Sequence, residues 1–260
     1  MPTPEEIAKA KRKLASLGRQ LNTASKATVT RQTNSRLAKY ADDPMAFIED
    51  LRLPTPSAPR FGDAMAPFQR TRLRKLVPDL HALVAKEAPP IGKHWWEATK
   101  GASKDTDLAA AVIWLLAFAR RPLRGQAGAA DAKQASEIRL AATEWLSVNP
   151  WLQERIVVQR SAIISPKTGS RLDILTADKD TAHGARPDFL VVNELHAIGS
   201  QEVAETWVDN ADKIPWGVRV IATNAGFQNS WQWKWREIAR EGASLGTWFF
   251  HKYAEPAPWM

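Results

Sequence analysis

Two short apolar runs, FLVVN (189–193) and VRVIAT (218–223), constrain the fold of this chain more than any other feature. Neither run alternates with polar residues, as a strand with one wet face would. They read as strands covered on both sides, which is the condition of a parallel sheet with helices on its two faces. Pro187 leads into the first run. Two parallel neighbours need a long crossover between them, and SQEVAETWVDNADK supplies one of helical character.

The same alternation extends back to about residue 60. FQRTRLRKLVPDLHALVA reads as a helix, KHWWEAT as a short strand and SKDTDLAAAVIWLLAFARR as a strongly apolar helix. GQAGAAD follows as a short strand, leading into the helix DAKQASEIRLAATEWLSV. In RIVVQRSAIISPKTGSRLDILTA two β runs meet at Lys167 to Ser170, where Gly169 suits a hairpin turn. Past the second apolar run, SWQWKWREIAREG predicts a helix ending at Gly242, and TWFFHKYAE a last strand. Upstream, residues 3 to 22 predict a helix, with Thr3 and Glu6 in capping-box spacing and a thin stripe of Ile7, Leu14 and Leu17. RLPTPSAPRFGD (52–63) has the composition of a proline-rich linker. The expected organisation is therefore a basic helical arm and linker over 1–60 and one α/β domain over 61–260.

Charge and composition narrow the function. The net charge is +8, and residues 1 to 40 carry nine Lys/Arg against Glu5 and Glu6, a local balance of +7. Such an arm can hold a phosphate backbone without reading its sequence; the alternative is a solvated helix with its charges outward. With no cysteine, disulfides and thiolate metal sites are excluded. A secretory leader and a long apolar span are also missing, so a soluble intracellular protein without membrane contact is expected. His81, His94, His183, His196 and His251 are scattered and form no H-E-x-x-H, and no G-x-S-x-G elbow occurs. The tryptophan-rich stretch WQWKW (231–235) could stack nucleic-acid bases, but on a helix Trp231 and Trp235 share one face, which favours burial in a core or interface.

The chemistry centres on EATKGASKDTDLAAA (97–111). Against the phosphate-loop pattern G-x-x-x-x-G-K-[ST], Ala98 replaces the first glycine, Ser103 the second and Asp105 the hydroxyl, and only Lys104 fits. The context nonetheless suits a phosphate site, because a strand leads through a turn with Gly101 and two small residues to a helix N-terminus, with Lys100 as a second cation. Asn193-Glu194 closes the first apolar run, at the strand end where ligands of open α/β sheets bind. An ATP motor normally has Asp-Glu there, the first residue for Mg²⁺ and the second for the attacking water. Here the magnesium carboxylate is replaced by Asn193, while a carboxylate, Asp105, stands where the hydroxyl belongs. The two departures read as one exchange, with the carboxylate now on the helix, the neutral oxygen on the strand, and Thr106 as a fallback hydroxyl. The opposing interpretation is a decayed site. Thr223 and Asn224 close the second run, where a sensor of the γ-phosphate would sit.

With these stretches in this order, the chain resembles the ATPase domain of tailed-phage large terminase subunits, motors that drive double-stranded DNA into a preformed capsid. The likeness covers about residues 60 to 255. It rests on APFQRTRLRKLVPDL, AADAKQASEI, the run TGSRLDILTADKDTAHGARPDFLVVNELHAI and ATNAGFQNSWQWKW, which is similar to the family's coupling motif. The resemblance implies a P-loop NTPase of the additional-strand type, with a mostly parallel central sheet flanked by helices, using ATP and Mg²⁺. It implies Gln69 as an adenine-recognising glutamine and Thr99, Lys100, Gly101, Ala102, Ser103, Lys104, Asp105, Thr106, Thr223 and Asn224 as nucleotide-binding residues. Asp105 and Asn193 would hold the metal, Lys104 and Glu194 would be catalytic, and a neighbour's Arg186 would act in trans, with His183 nearer one version of that pattern. A homo-oligomeric ring on the capsid, double-stranded DNA, the portal protein and the small terminase subunit are the implied partners, in the host cytoplasm. Such subunits usually continue into a nuclease. This sequence runs to YAEPAPWM without an unassigned carboxylate cluster, so an ATPase portion of a longer protein is expected, or else a motor that borrows its nuclease, with no DNA cleavage by this chain. The competing function is a non-hydrolysing scaffold that binds DNA or capsid protein. A helicase-like ATPase is a third, disfavoured because no helicase motif is recognisable past Gly226.

Overall fold

The computed structural model describes residues 35–177 and 185–260, so the expected helix over 3–22 and His183 lie outside the described residues. The chain divides into Met1–Asp43 and a compact unit Pro44–Met260. Within the first unit residues 35–42 are helical, and the Arg36 guanidinium lies 5.3 Å from the centre of the Tyr40 ring.

The second unit opens with α1 (Pro44–Asp50), α2 (Phe61–Ala64) and α3 (Pro67–Ala85), followed by β1 (Lys93–Ala98), α4 (Lys104–Phe118), β2 (Arg124–Ala129) and α5 (Ala132–Val148). After a 3-10 turn (Pro150–Glu154) come β3 (Val157–Val158), β4 (Ala162–Ser165), β5 (Ser170–Thr176) and β6 (Phe189–Asn193). The chain then forms α6 (Gln201–Asp212), β7 (Val218–Thr223), α7 (Trp231–Ser244) and β8 (Phe249–Tyr253). The strands make one sheet in the order β3-β4-β5-β2-β6-β7-β1-β8. From β5 to β8 every pairing is parallel, and only β3-β4 and β4-β5 are antiparallel. β7 thus lies between β1, which leads into the phosphate-type loop, and β6, which ends in Asn193. That inserted strand defines the additional-strand arrangement.

Burial explains these elements. Every residue of β6 and β7 is buried, as their mainly apolar pattern requires, with Arg219 the one charged residue of the two strands. The helix α4 is apolar nearly all round and is enclosed by its neighbours; among its few polar residues, Lys104 and Asp107 are themselves buried. Trp95, Trp96, Trp114, Trp145 and Trp207 are core residues, and Trp231 meets Trp235 edge-to-face at 5.3 Å, so these tryptophans serve packing.

The compact unit begins at Pro44, and within it Phe47 packs edge-on against Phe118 at 5.6 Å and Trp151 at 5.9 Å. The proline-rich stretch after it is held at Arg52, whose N–H donates to Asn149 Oδ1 (2.9 Å) and whose carbonyl accepts from Asn149 Nδ2 (3.0 Å). Gly242 does not end its helix, which continues to Ser244. Its missing side chain serves packing, since a Cβ there would stand 2.3 Å from Trp248 Cδ1.

Candidate nucleotide site

The C-terminal ends of β1, β6 and β7 lie side by side, with Glu97 level with Thr223 and Asn193 level with Ala222. Parallel strands bring their carbonyl ends together, and a helix starting there adds unpaired N–H groups. A cleft of about 1130 Å³ opens at this edge, walled by Lys100 to Thr106, Asn193, Glu194, His196 and Asn224 and, on its apolar side, by Leu53, Pro54, Phe61 and Trp259. The stretch expected to be a free linker therefore forms one wall.

The loop after β1 is tightly wound. Gly101 has φ +80° and Ser103, at the N-cap of α4, has φ 62° and ψ 23°, both left-handed. The Ala102 N–H donates to the Thr99 carbonyl at 3.2 Å. The chain's last segment straps the loop: Thr99 N–H donates to the Tyr253 carbonyl (3.3 Å), Thr99 Oγ1 to the Glu255 carbonyl (3.1 Å) and Trp259 Nε1 to the Gly101 carbonyl (3.0 Å). Lys100 is exposed, and Thr106 lines the cleft while its carbonyl accepts from Trp145 Nε1 at 2.9 Å.

Lys104 is 3% exposed, and its Nζ donates to the Ala98 carbonyl (3.2 Å) and Asn224 Oδ1 (2.9 Å), with Glu194 Oε1 at 3.4 Å. One ammonium thus joins the ends of β1, β6 and β7. Asn193 Nδ2 donates to Asp105 Oδ1 at 2.6 Å, so the two exchanged residues are in direct contact. The Asn193 side-chain oxygen, Oδ1, is buried and has no partner among the described residues.

Glu194 sits in the left-handed region (φ 51°, ψ 51°), with its N–H donating to the Ala222 carbonyl at 2.7 Å. Strain of this kind in a non-glycine residue gathers at functional sites. His196 Nδ1 lies 3.0 Å from Glu194 Oε2, and the His196 N–H donates to Thr223 Oγ1 at 3.1 Å. Burial pushes the Glu194 carboxyl up, but the His196 hydrogen bond and the Lys104 charge outweigh it and hold the group below the usual glutamate range. Burial also pushes the Asp105 carboxyl up, where it prevails over the Asn193 hydrogen bond and Lys104, with Glu194 adding to the rise. Adjacent carboxyls driven in opposite directions are characteristic of sites that assign them different tasks.

The structure brings together Lys104, Asp105, Asn193, Glu194, Thr223 and Asn224. It gives Gln69 another engagement: Oε1 accepts from the Ala66 N–H (3.0 Å), while Nε2 donates to Ser103 Oγ (3.0 Å) and Asp107 Oδ1 (2.8 Å). Both Nε2 hydrogens are engaged, so donating to a base would require it to give up one of these bonds, while Oε1 keeps an acceptor site; Gln69 also lines the cleft. Arg186 is exposed and precedes the N-terminal end of β6, whereas Asn193 ends that strand. At about 3.3 Å per residue β6 alone separates Phe189 from Asn193 by about 13 Å, and Arg186, before that strand, is not among the residues that wall the cleft. His196, Arg72 and Asp107 were not foreseen. An Asp entering an apolar helix was the available signal, since a buried carboxylate needs a donor set.

The profile of the family described as terminase large subunit, ATPase domain, matches residues 93–240, more than half of this 260-residue chain. No curated protein matches the sequence. Among solved structures, the large terminase of bacteriophage HK97 superposes with a TM-score of 0.65 at 19% identity, over 84% of this chain and 44% of its own. A mutant ATPase domain of the large terminase of Thermus phage P74-26 gives 0.50 at 16% identity, over 67% of this chain and 80% of its own. The large terminase of the thermophilic bacteriophage D6E gives 0.53 at 6% identity, over 67% and 44%. At these identities the likeness is one of fold. The chain spans less than half the length of the HK97 and D6E proteins.

Proposed function

The chain belongs to the family of terminase large-subunit ATPase domains, and from that premise we propose that it binds Mg-ATP in the cleft and hydrolyses it to move double-stranded DNA into a viral capsid. The observation that carries the proposal is the meeting of Lys104, Asp105, Asn193, Glu194 and Asn224 at one sheet edge, above all the contact between Asp105 and Asn193.

In this reading Lys104 exchanges its internal acceptors for the β- and γ-phosphate oxygens, and the loop N–H groups and the start of α4 hold the remaining phosphate charge. Glu194 is ionised at neutral pH and orients a water toward the γ-phosphorus. The water oxygen bonds to phosphorus as the bridging oxygen departs with ADP, and the water proton passes to Glu194 or to the phosphate formed. The donor set fits a divalent cation: an unpartnered buried Asn193 oxygen beside the Asp105 carboxylate is an arrangement of hard oxygen ligands. When bound, Mg²⁺ would neutralise charge building up between the β- and γ-phosphates. Thr223 and Asn224, tied to His196 and Lys104, would report the presence of the γ-phosphate to β7 and α7. Arg186 of a neighbour, a ring of subunits, the portal protein, the small terminase subunit and the host cytoplasm complete the proposal.

ATP turnover with Mg²⁺ and double-stranded DNA, measured beside Lys104→Ala and Glu194→Gln, tests it; activity lost in both variants is expected. The departures at Ser103 and Asp105 favour a second reading, a non-hydrolysing scaffold binding DNA or capsid protein. No turnover in the unaltered chain at high concentration, with DNA binding intact, would establish that one instead.

A further inference from the structure

Ser103 occupies a position that the phosphate-loop pattern reserves for glycine, and it holds a left-handed conformation, φ 62° and ψ 23°. Without support, a residue with a Cβ populates that region about tenfold less than glycine does. Around it lies a closed set of side chains. Ser103 Oγ accepts from Gln69 Nε2 at 3.0 Å and donates to Asp107 Oδ1 at 2.9 Å. Gln69 Nε2 also reaches Asp107 Oδ1, at 2.8 Å. The second Asp107 oxygen accepts from Arg72 Nε at 2.7 Å, and Arg72 Nη2 donates to the Ala102 carbonyl at 2.9 Å. Gln69 is 2% exposed, and Arg72 and Asp107 are fully buried.

We infer that Gln69, Arg72 and Asp107 form a brace that keeps Ser103 left-handed and so does for this loop what a glycine does in the usual pattern. The inference rests on the nucleotide-binding reading above and concerns positioning residues that need not touch the nucleotide. Arg72 fixes the peptide before Ser103 by its carbonyl, while Gln69 and Asp107 fix the hydroxyl after it. A trans peptide directs its N–H opposite to its carbonyl. With the Ala102 carbonyl drawn inward to Arg72, the Ser103 N–H points away from the buried guanidinium. Gln69 and Arg72, three residues apart, come from one face of α3, and Asp107, one helical turn beyond Ser103, comes from α4. The buried Asp107–Arg72 pair, unexplained by the chemistry of hydrolysis, thereby acquires a task.

The test compares Ser103→Ala with Ser103→Gly, by calorimetric titration with ADP and ATP and by thermal unfolding without nucleotide. Alanine keeps the Cβ and loses the hydroxyl half of the brace, whereas glycine needs none. Relative to Ser103→Gly, Ser103→Ala should lose up to about tenfold in total, divided between weaker binding, where the free loop relaxes, and a melting temperature lower by up to about 2–4 °C, where it does not. Equal weakening in both would mean that the hydroxyl itself holds the nucleotide, and no weakening in either together with equal melting that the loop needs no support; each overturns the brace. Gln69→Met supplies the second arm. It should weaken binding in the unaltered chain and leave it nearly unaffected in the Ser103→Gly background, while a base-reading glutamine would lose affinity in both. If the unaltered chain binds no nucleotide, the proposed function fails, and the melting contrast alone decides the brace, with equal melting of the two variants refuting it.

Discussion

Replacing Asn193 by aspartate puts the residue of the usual Asp-Glu pair back on β6, yet it should damage this protein. Asn193 Nδ2 is 2.6 Å from Asp105 Oδ1, so Asn193→Asp sets two carboxylates against each other. With charge centres about 4 Å apart and an effective dielectric near 20, their repulsion is about 4 kcal/mol. The alternative is for one carboxyl to take up a proton. At pH 7, for a group that ionises near 4 in the unfolded chain, that costs about 1.4 kcal/mol per pH unit, again about 4 kcal/mol. Both routes lead to the same ceiling, and a shared-proton hydrogen bond returns part of it, so the expected loss is about 3 kcal/mol. The shared proton raises one folded-state pKa above its unfolded value, so the deficit grows as pH rises from about 4 and shrinks below it. Adding Asp105→Thr removes one charge, recreates the usual arrangement and should recover most of the loss. Urea unfolding of both single variants and the double at pH 7 and pH 4 measures these quantities. A pH-independent deficit in Asn193→Asp, or a double variant no more stable than Asn193→Asp, would refute the exchange.

Other consequences follow from contacts already described. Asp105→Ala should abolish Mg-dependent ATP turnover; unchanged turnover would remove Asp105 from the metal site. Glu97, 3% exposed on β1, accepts from Arg236 Nε at 2.6 Å and Nη2 at 3.3 Å, so Arg236→Met leaves a buried carboxylate and should cost about 3–5 kcal/mol in denaturant unfolding, with Glu97→Gln in the same chain returning part of it. Gly242→Ala should destabilise by about 1–3 kcal/mol although alanine favours helices, because its Cβ meets Trp248; a rise in melting temperature would contradict the packing role. Burial, and after it the nearby Arg72 charge, lowers the His251 pKa below the ordinary value of about 6.5. The unfolded chain therefore binds more protons between the lowered value and 6.5, and stability should fall as pH drops through that window. His251→Gln should flatten this dependence in melting curves taken across it.

The strands and helices of the domain could be read from sequence because burial on both faces leaves runs without alternation, as in β6 and β7. The contact between Asp105 and Asn193 was legible for a different reason: two departures from one pattern are easier to reconcile together than apart. What stayed hidden depended on which helix faces meet. Nothing local to Gln69 or Arg72 shows that α3 lies against Ser103 and Asp107. The stretch around Arg52 has the composition of a free linker, and its attachment comes from one distant residue, Asn149. Gly242 reads as a helix terminator until Trp248 is placed against it.

The strap over the phosphate-type loop has a mechanical meaning. Residues 253, 255 and 259 grip that loop from outside, with Trp259 on the carbonyl of Gly101 and Glu255 holding the Thr99 hydroxyl. Tension on this segment would be delivered straight to the peptides that shape the loop, and a change in the loop would be paid out along the segment as slack. The site thus has a drawcord as well as a pocket, three hydrogen bonds tying the shape of the loop to the course of residues 253–259.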